Sequence, residues 1–194
     1  MESVCVYCGS SPGTQPDYAT AARELAGALL ERGLALVYGG ASKGLMGIIA
    51  DAMLAGGGRV VGVIPQGLVD KEIAHEGLTE LHVVASMHER KALMAELSDG
   101  FIAMPGGFGT LEEIVEMLTW GQLGIHAKPC GLLNVAGYYD GLLGYVEHAE
   151  RQGFVRGEHR RMLLASSDPA ALLARLDSYQ APAVAKWSNP APAG

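Results

Sequence analysis

Positive charge is in short supply: 14 lysines and arginines stand against 21 aspartates and glutamates, giving a formal net charge of −7 and a pI near 5.3. No basic footprint invites nucleic acid or an anionic membrane surface, so an anionic ligand would have to be met locally. Cysteine is scarcer still. Three is an odd and small number, which argues against a disulfide framework and fits a reducing compartment. Cys5 and Cys8 form a C-x-x-C, but in and just after the strand-like run Ser3–Tyr7, whereas a redox pair opens a helix. They read as buried or loop thiols. No apolar run approaches the ~18 residues of a membrane span, and Met1-Glu2-Ser3-Val4 does not begin a signal segment. A soluble, cytoplasmic protein is expected.

Several chemical signatures are missing as well. Histidines at 75, 82, 88, 126, 148 and 159 show no H-E-x-x-H spacing and no Cys/His cluster, so no metal is expected. There is no G-x-S-x-G elbow, which leaves Ser10 and Ser11 as loop donors. Lys43 precedes Gly44 and is not followed by Ser or Thr, and Gly106-Gly107-Phe108-Gly109 is not G-x-G-x-x-G. A P-loop ATPase and an ordinary dinucleotide dehydrogenase are therefore disfavoured.

Glycine is abundant, with 27 residues or roughly twice average usage. The glycines cluster after short apolar runs at Val4–Tyr7, Leu34–Tyr38, Val60–Ile64, Leu81–Val84, Phe101–Met104 and Cys130–Leu133. These runs alternate with segments of helical period, the mark of an α/β, Rossmann-like, doubly wound fold with a mainly parallel sheet and helices on both faces. Tyr18, Ala22, Leu25 and Leu29 make one helical stripe ending at Gly33, and Asp168-Pro169 opens another helix. With 49% hydrophobic residues, residues 1–177 can bury the core of a single domain. Residues 178–194, rich in proline and alanine, read as a flexible tail.

Ligands of such a sheet bind beyond the carboxyl ends of the strands. Three small-residue loops fall there: Cys8-Gly9-Ser10-Ser11-Pro12-Gly13, Gly39-Gly40-Ala41-Ser42-Lys43-Gly44 and Pro105-Gly106-Gly107-Phe108-Gly109-Thr110. Their backbone N–H groups, with a helix N-terminus behind them, suit the phosphate of a nucleoside monophosphate. Tight turns would explain any one of the loops alone. Thr110-Leu111-Glu112-Glu113 has capping-box spacing, so Glu113 reads equally as a structural cap and as a catalytic carboxylate. Ser86-Met87-His88-Glu89 is a second capping box. Behind it, Arg90 shares a helix face with Leu93, Met94 and Leu97, so it needs Glu113, a ligand or both as partner, unless it snorkels to the surface. Lys91 points elsewhere on that helix and reads as a solvated charge.

Ser86-Met87-His88-Glu89-Arg90-Lys91 and Pro105–Glu113 together resemble the two signature motifs of the Lonely Guy family, the cytokinin riboside 5′-monophosphate phosphoribohydrolases long described as lysine decarboxylases. The likeness runs over residues 3–176 and includes Cys8–Ser11, Tyr38–Gly47, Ile64-Pro65 and Thr119–His126, with no departure inside the two motifs. It implies hydrolysis of the N-glycosidic bond of an N6-modified AMP, with AMP itself accepted, by a homodimer whose sites lie near the subunit interface. Arg90 and Glu113 would be the catalytic pair. Lys91, Gly106, Gly107, Phe108, Gly109, Thr110, Leu111 and Glu112 would hold the nucleotide, with Gly9, Ser10, Gly39 and Gly40 from the other loops. Thr119 and Glu72 would complete the pocket. No cofactor is implied: a decarboxylase needs pyridoxal phosphate on a lysine, and Lys43, Lys71, Lys91, Lys128 and Lys186 lie in no persuasive setting for one. A general AMP nucleosidase and a non-catalytic nucleotide or cofactor carrier remain the alternative readings.

Overall fold

The computed structural model describes residues 1–72 and 74–183, with only the backbone described at 70–72. Seven strands form one sheet: β1 (Ser3–Tyr7), β2 (Ala35–Tyr38), β3 (Val60–Pro65), β4 (Glu80–Val84), β5 (Gly100–Ala103), β6 (Cys130–Leu133) and β7 (Leu163–Ser166). Their order is β4-β3-β2-β1-β5-β6-β7, and every pairing is parallel. The six anticipated strands are all present. The seventh, Leu163-Leu164-Ala165-Ser166, went unread because four residues at the sheet's edge carry too weak a pattern.

Parallel strands need crossover helices, and these cover both faces. Because successive side chains alternate across a strand, Val4, Val6, Leu36, Tyr38, Ile102 and Met104 pack into one core. There they meet α1 (Pro16–Glu31), α2 (Gly44–Ala55) and α8 (Pro169–Asp177). Cys5, Tyr7, Val37, Val63, Phe101 and Ala103 face the opposite core, covered by α4 (Met87–Glu96), α5 (Phe108–Gln122) and α6 (Asp140–Arg151). Leu25 and Leu29 of α1 are fully buried, each contributing about 1.5–3 kcal/mol of transfer free energy. A short α3 (Gln66–Glu72) follows β3, and α7 (Gly157–Arg160) precedes β7. Among the described residues regular structure ends at Asp177, and residues 184–194 of the anticipated tail lie outside them. Among the described residues no helix is long and apolar enough to cross a membrane.

The chain reverses its direction of travel across the sheet between β1 and β5. Here the β1–α1 and β5–α5 loops part to opposite faces, leaving the crevice that doubly wound sheets use for ligands.

Candidate active site

The first and third glycine loops meet in that crevice, with Gly9 N–H donating to the Pro105 carbonyl at 3.0 Å. The approach is too close for side chains: a Cβ on Gly106 would lie 2.1 Å from Thr110 Oγ1 and 2.9 Å from Gly9 N. The second loop braces the first. Leu45 N–H donates to the Gly9 carbonyl at 3.0 Å, and Gly44, at φ +61, packs so tightly on Ser10 that a Cβ would meet its carbonyl carbon at 2.3 Å. A cleft of about 350 Å³ opens above, lined by Gly9, Ser10, Arg90, the Gly107–Thr110 turn, Glu112 and Glu113.

The helix behind the third loop begins earlier than the capping-box spacing implies. Gly107 is the N-cap, with no side-chain capping bond, and Phe108 is the first helical residue. Two unsubstituted glycines let the chain enter the helix at once, so Thr110 falls in the first turn and Glu113 in the second. The capping-box reading of Glu113 is thereby overturned, and its 9% exposure at the cleft wall calls for a different account. Amides 108 to 110 precede the first intrahelical bond, Leu111 N to the Gly107 carbonyl at 3.1 Å, so they point toward the mouth of the loop with the helix dipole behind them.

At Ser86 the capping box does form. Glu89 N–H donates to Ser86 Oγ at 3.1 Å, while the Glu89 carboxylate accepts from Ala85 N–H at 2.8 Å, one residue before the usual position. This sets the start of α4 and drives Arg90 inward. It does not snorkel: it is 7% exposed, with Nε donating to the Val63 carbonyl at 3.1 Å and Nη2 to the Gly39 carbonyl at 3.1 Å. The Val63 carbonyl lies within β3 and the Gly39 carbonyl just after β2, and they fix the guanidinium without neutralising it. Gly39 serves this seat, since a Cβ there would lie 2.1 Å from Nη2. Gly40, at φ +76, packs against Ile64 and Leu81 and takes the His75 N–H on its carbonyl at 3.0 Å. Neither glycine lines the cleft.

Lys91 corrects the expectation of a solvated charge. Its side chain is 7% exposed, and its ammonium bridges to α5, pairing with Glu112 and, at 2.9 Å, with Glu116. Burial works against the charged form, but the two carboxylates outweigh it and raise the Lys91 pKa. Burial lifts the Cys5 and Cys8 thiols well above their usual range, with the Glu113 charge adding to both. They are inert core thiols, as their strand position implied.

Thr119 is not brought to the cleft: it lies roughly 16 Å along α5 from Phe108, and its hydroxyl bonds back to the Val115 carbonyl at 2.8 Å. Glu72's side chain lies outside the described residues. Sequence reasoning missed Met46, Leu68 and Met87, which give the cleft apolar wall. Met46 and Met87 stand inside the quoted motifs, but periodicity carries no sign that they face a ligand. Among the described residues no three His, Cys, Asp or Glu side chains are grouped to hold a metal ion.

Residues 46–176 match the protein family described as "Possible lysine decarboxylase". A probable cytokinin riboside 5′-monophosphate phosphoribohydrolase of Oryza sativa subsp. japonica is 53% identical over 179 residues, 92% of this chain and 73% of its own. The chain belongs to the Lonely Guy family. A second member, a cytokinin riboside 5′-monophosphate phosphoribohydrolase of Arabidopsis thaliana, is 49% identical over 93% of this chain and 83% of its own. Among solved structures, the molybdenum cofactor carrier protein of Chlamydomonas reinhardtii superposes with a TM-score of 0.69 at 20% identity, covering 90% of this chain and 95% of that one. The molybdenum cofactor binding protein of Rippkaea orientalis gives 0.66 at 21%, covering 91% and 95%. At such identity these two speak for the fold that the Lonely Guy chain shares with them, and for nothing further.

Proposed function

We propose that this chain hydrolyses the N-glycosidic bond of cytokinin riboside 5′-monophosphates, releasing the free base and ribose 5-phosphate. The observation that carries the reading is the convergence of two buried charged groups, Arg90 and Glu113, on a cleft floored by a glycine loop and a helix N-terminus. Family membership supports it. In this reading the 5′-phosphate rests on the amides of Gly107 to Thr110, with Gly9 and Ser10 closing the far side. The C1′–N bond breaks with its electrons leaving on the base, which takes up a proton, and a water oxygen adds to C1′. Ribose becomes cationic on the way, so the Glu113 carboxylate either faces that charge or receives the water's proton. Arg90 lines the same cleft as Glu113 and borders the nucleotide. Lys91 acts through Glu112, fastening the start of α5 to α4, and Met46, Leu68 and Met87 suit a purine with an apolar N6 substituent.

The active unit is a homodimer in this proposal. Phe108 (93% exposed), Leu111 and Val115 form an uncovered apolar stripe on α5 beside the cleft, and a second copy would cover it. Thr119, seven residues beyond Glu112 on the same helix, would then contribute at the interface together with Glu72.

The test is chromatography of base released from N6-isopentenyladenosine 5′-monophosphate and, in parallel, from AMP. Preferential release from the prenylated substrate supports the reading. Equal rates would make the protein a general AMP nucleosidase, and no release from either would leave a binding protein.

A further inference from the structure

Four successive carbonyls lead the chain into the third glycine loop, and each has a partner. Met104 O accepts from Tyr139 OH at 2.6 Å, Pro105 O from Gly9 N–H and Gly107 O from Leu111 N–H. Gly106 O accepts from Tyr138 OH at 2.5 Å. The bonds to Pro105 O and Gly107 O are backbone bonds of the loop and helix themselves. Those to Met104 O and Gly106 O come from adjacent tyrosines on the connection between β6 and α6, which contributes nothing to the nucleotide cleft.

In a trans peptide the C=O of one residue and the N–H of the next point in opposite directions. The Tyr138 hydroxyl therefore fixes more than a carbonyl. By drawing Gly106 O outward it aims Gly107 N–H the other way, toward the cleft that Gly107 lines on its opposite side. A Gly-Gly peptide is the one most free to rotate, because no Cβ on either side resists a flip. Flipped, it would present a carbonyl oxygen to an incoming phosphate in place of an N–H, converting attraction to repulsion.

The tyrosine is itself well seated. Its ring stands edge-on to Tyr18 at 5.7 Å and to Tyr139 at 5.0 Å. The turn that delivers it, Val135–Gly137, contains Ala136 at φ +50, the lone non-glycine residue with positive φ among those described. Asn134 ties the turn down, accepting from Tyr139 N–H at 2.7 Å and donating to Asp140 Oδ1 at 2.8 Å.

We infer that Tyr138 is a positioning residue for phosphate recognition: through its bond to the Gly106 carbonyl it holds the Gly106–Gly107 peptide in the orientation that binds the 5′-phosphate. The inference rests on the proposed function of that loop and deepens it.

Calorimetric titration of wild type, Tyr138→Phe and Tyr18→Phe with ribose 5-phosphate, AMP and adenosine tests it. Tyr138→Phe keeps the ring and its packing, and is expected to weaken ribose 5-phosphate and AMP by about three- to tenfold, the worth of one net hydrogen bond. Adenosine affinity and the melting temperature should hold, as should every value for Tyr18→Phe. Equal loss for AMP and adenosine would mean a structural role and overturn the inference, as would phosphate-ligand affinities within about twofold of wild type. Wild type that fails to bind ribose 5-phosphate and AMP overturns the phosphate reading of the loop as well.

Discussion

A buried charge is costly unless the fold compensates it, and two such groups, Arg90 and Glu113, border one cleft, which is why we propose them as the catalytic pair. Arg90 is held in direction by its carbonyl partners, which orient the guanidinium without cancelling its charge. Glu113 sits in the second turn of α5, beyond any capping position. Glu113→Gln and Arg90→Ala are each expected to reduce kcat by about two or more orders of magnitude. Circular dichroism should show both variants folded. Turnover within a few-fold of wild type would take the residue out of the mechanism. The two loop glycines supply a sharper contrast. A Cβ at Gly106 would collide with Thr110 and the Gly9 backbone, while at Gly107 it would meet open space. Gly106→Ala should therefore abolish base release, and Gly107→Ala should leave a folded protein with measurable activity; the same assay checks both.

At the scale of elements, a small number of side-chain contacts fasten the strands and helices that carry the site. Asp99, just before β5, accepts from Glu2 N–H at 2.6 Å and Ser3 N–H at 3.1 Å, so it pins β1 against β5, the two strands whose loops form the crevice. The bond from Glu2 leads, and together with that from Ser3 it outweighs partial burial to hold the Asp99 carboxyl below its ordinary range. A depressed folded pKa gives stability that is present above the unfolded value of 3.8 and lost as pH falls through the folded one. Asp99→Asn should thus melt a few degrees below wild type at neutral pH, and the gap should close in acid below the folded pKa. A gap independent of pH across a scanning-calorimetry series would show that the carboxylate charge is not what matters. Lys91 has the opposite sign: its pKa is raised by its glutamate partners, so the stability its charge contributes is present at neutrality and is lost as pH rises through the folded pKa in strong alkali.

Across the whole molecule, the uncovered part is as informative as the core. Phe108, Leu111 and Val115 expose one apolar line along a helix whose other face is buried, and a monomer gains nothing from keeping such a stripe in water. Sedimentation velocity at micromolar concentration should give a dimer for wild type and a monomer for Val115→Glu, with base release falling alongside. A monomeric wild type would remove the second copy from the proposed site.

The amino-acid sequence by itself determined the alternation of strands and helices, because burial of a parallel sheet on both faces demands unbroken apolar runs, and it marked the three glycine loops and the two motifs. Those features are local, and each is readable within a dozen residues. What only the tertiary structure decided are contacts between distant segments. Arg90 finds its seat on carbonyls 27 and 51 residues away, and Lys91 finds Glu112, 21 residues on, in place of solvent. The start of α5 moved ahead of Thr110 because the packing of Gly9 against Gly106 governs how the chain enters the helix. Tyr138 carried no signal at all in the sequence, since an exposed tyrosine after a strand looks like any other until the fold sets its hydroxyl on a carbonyl 32 residues away.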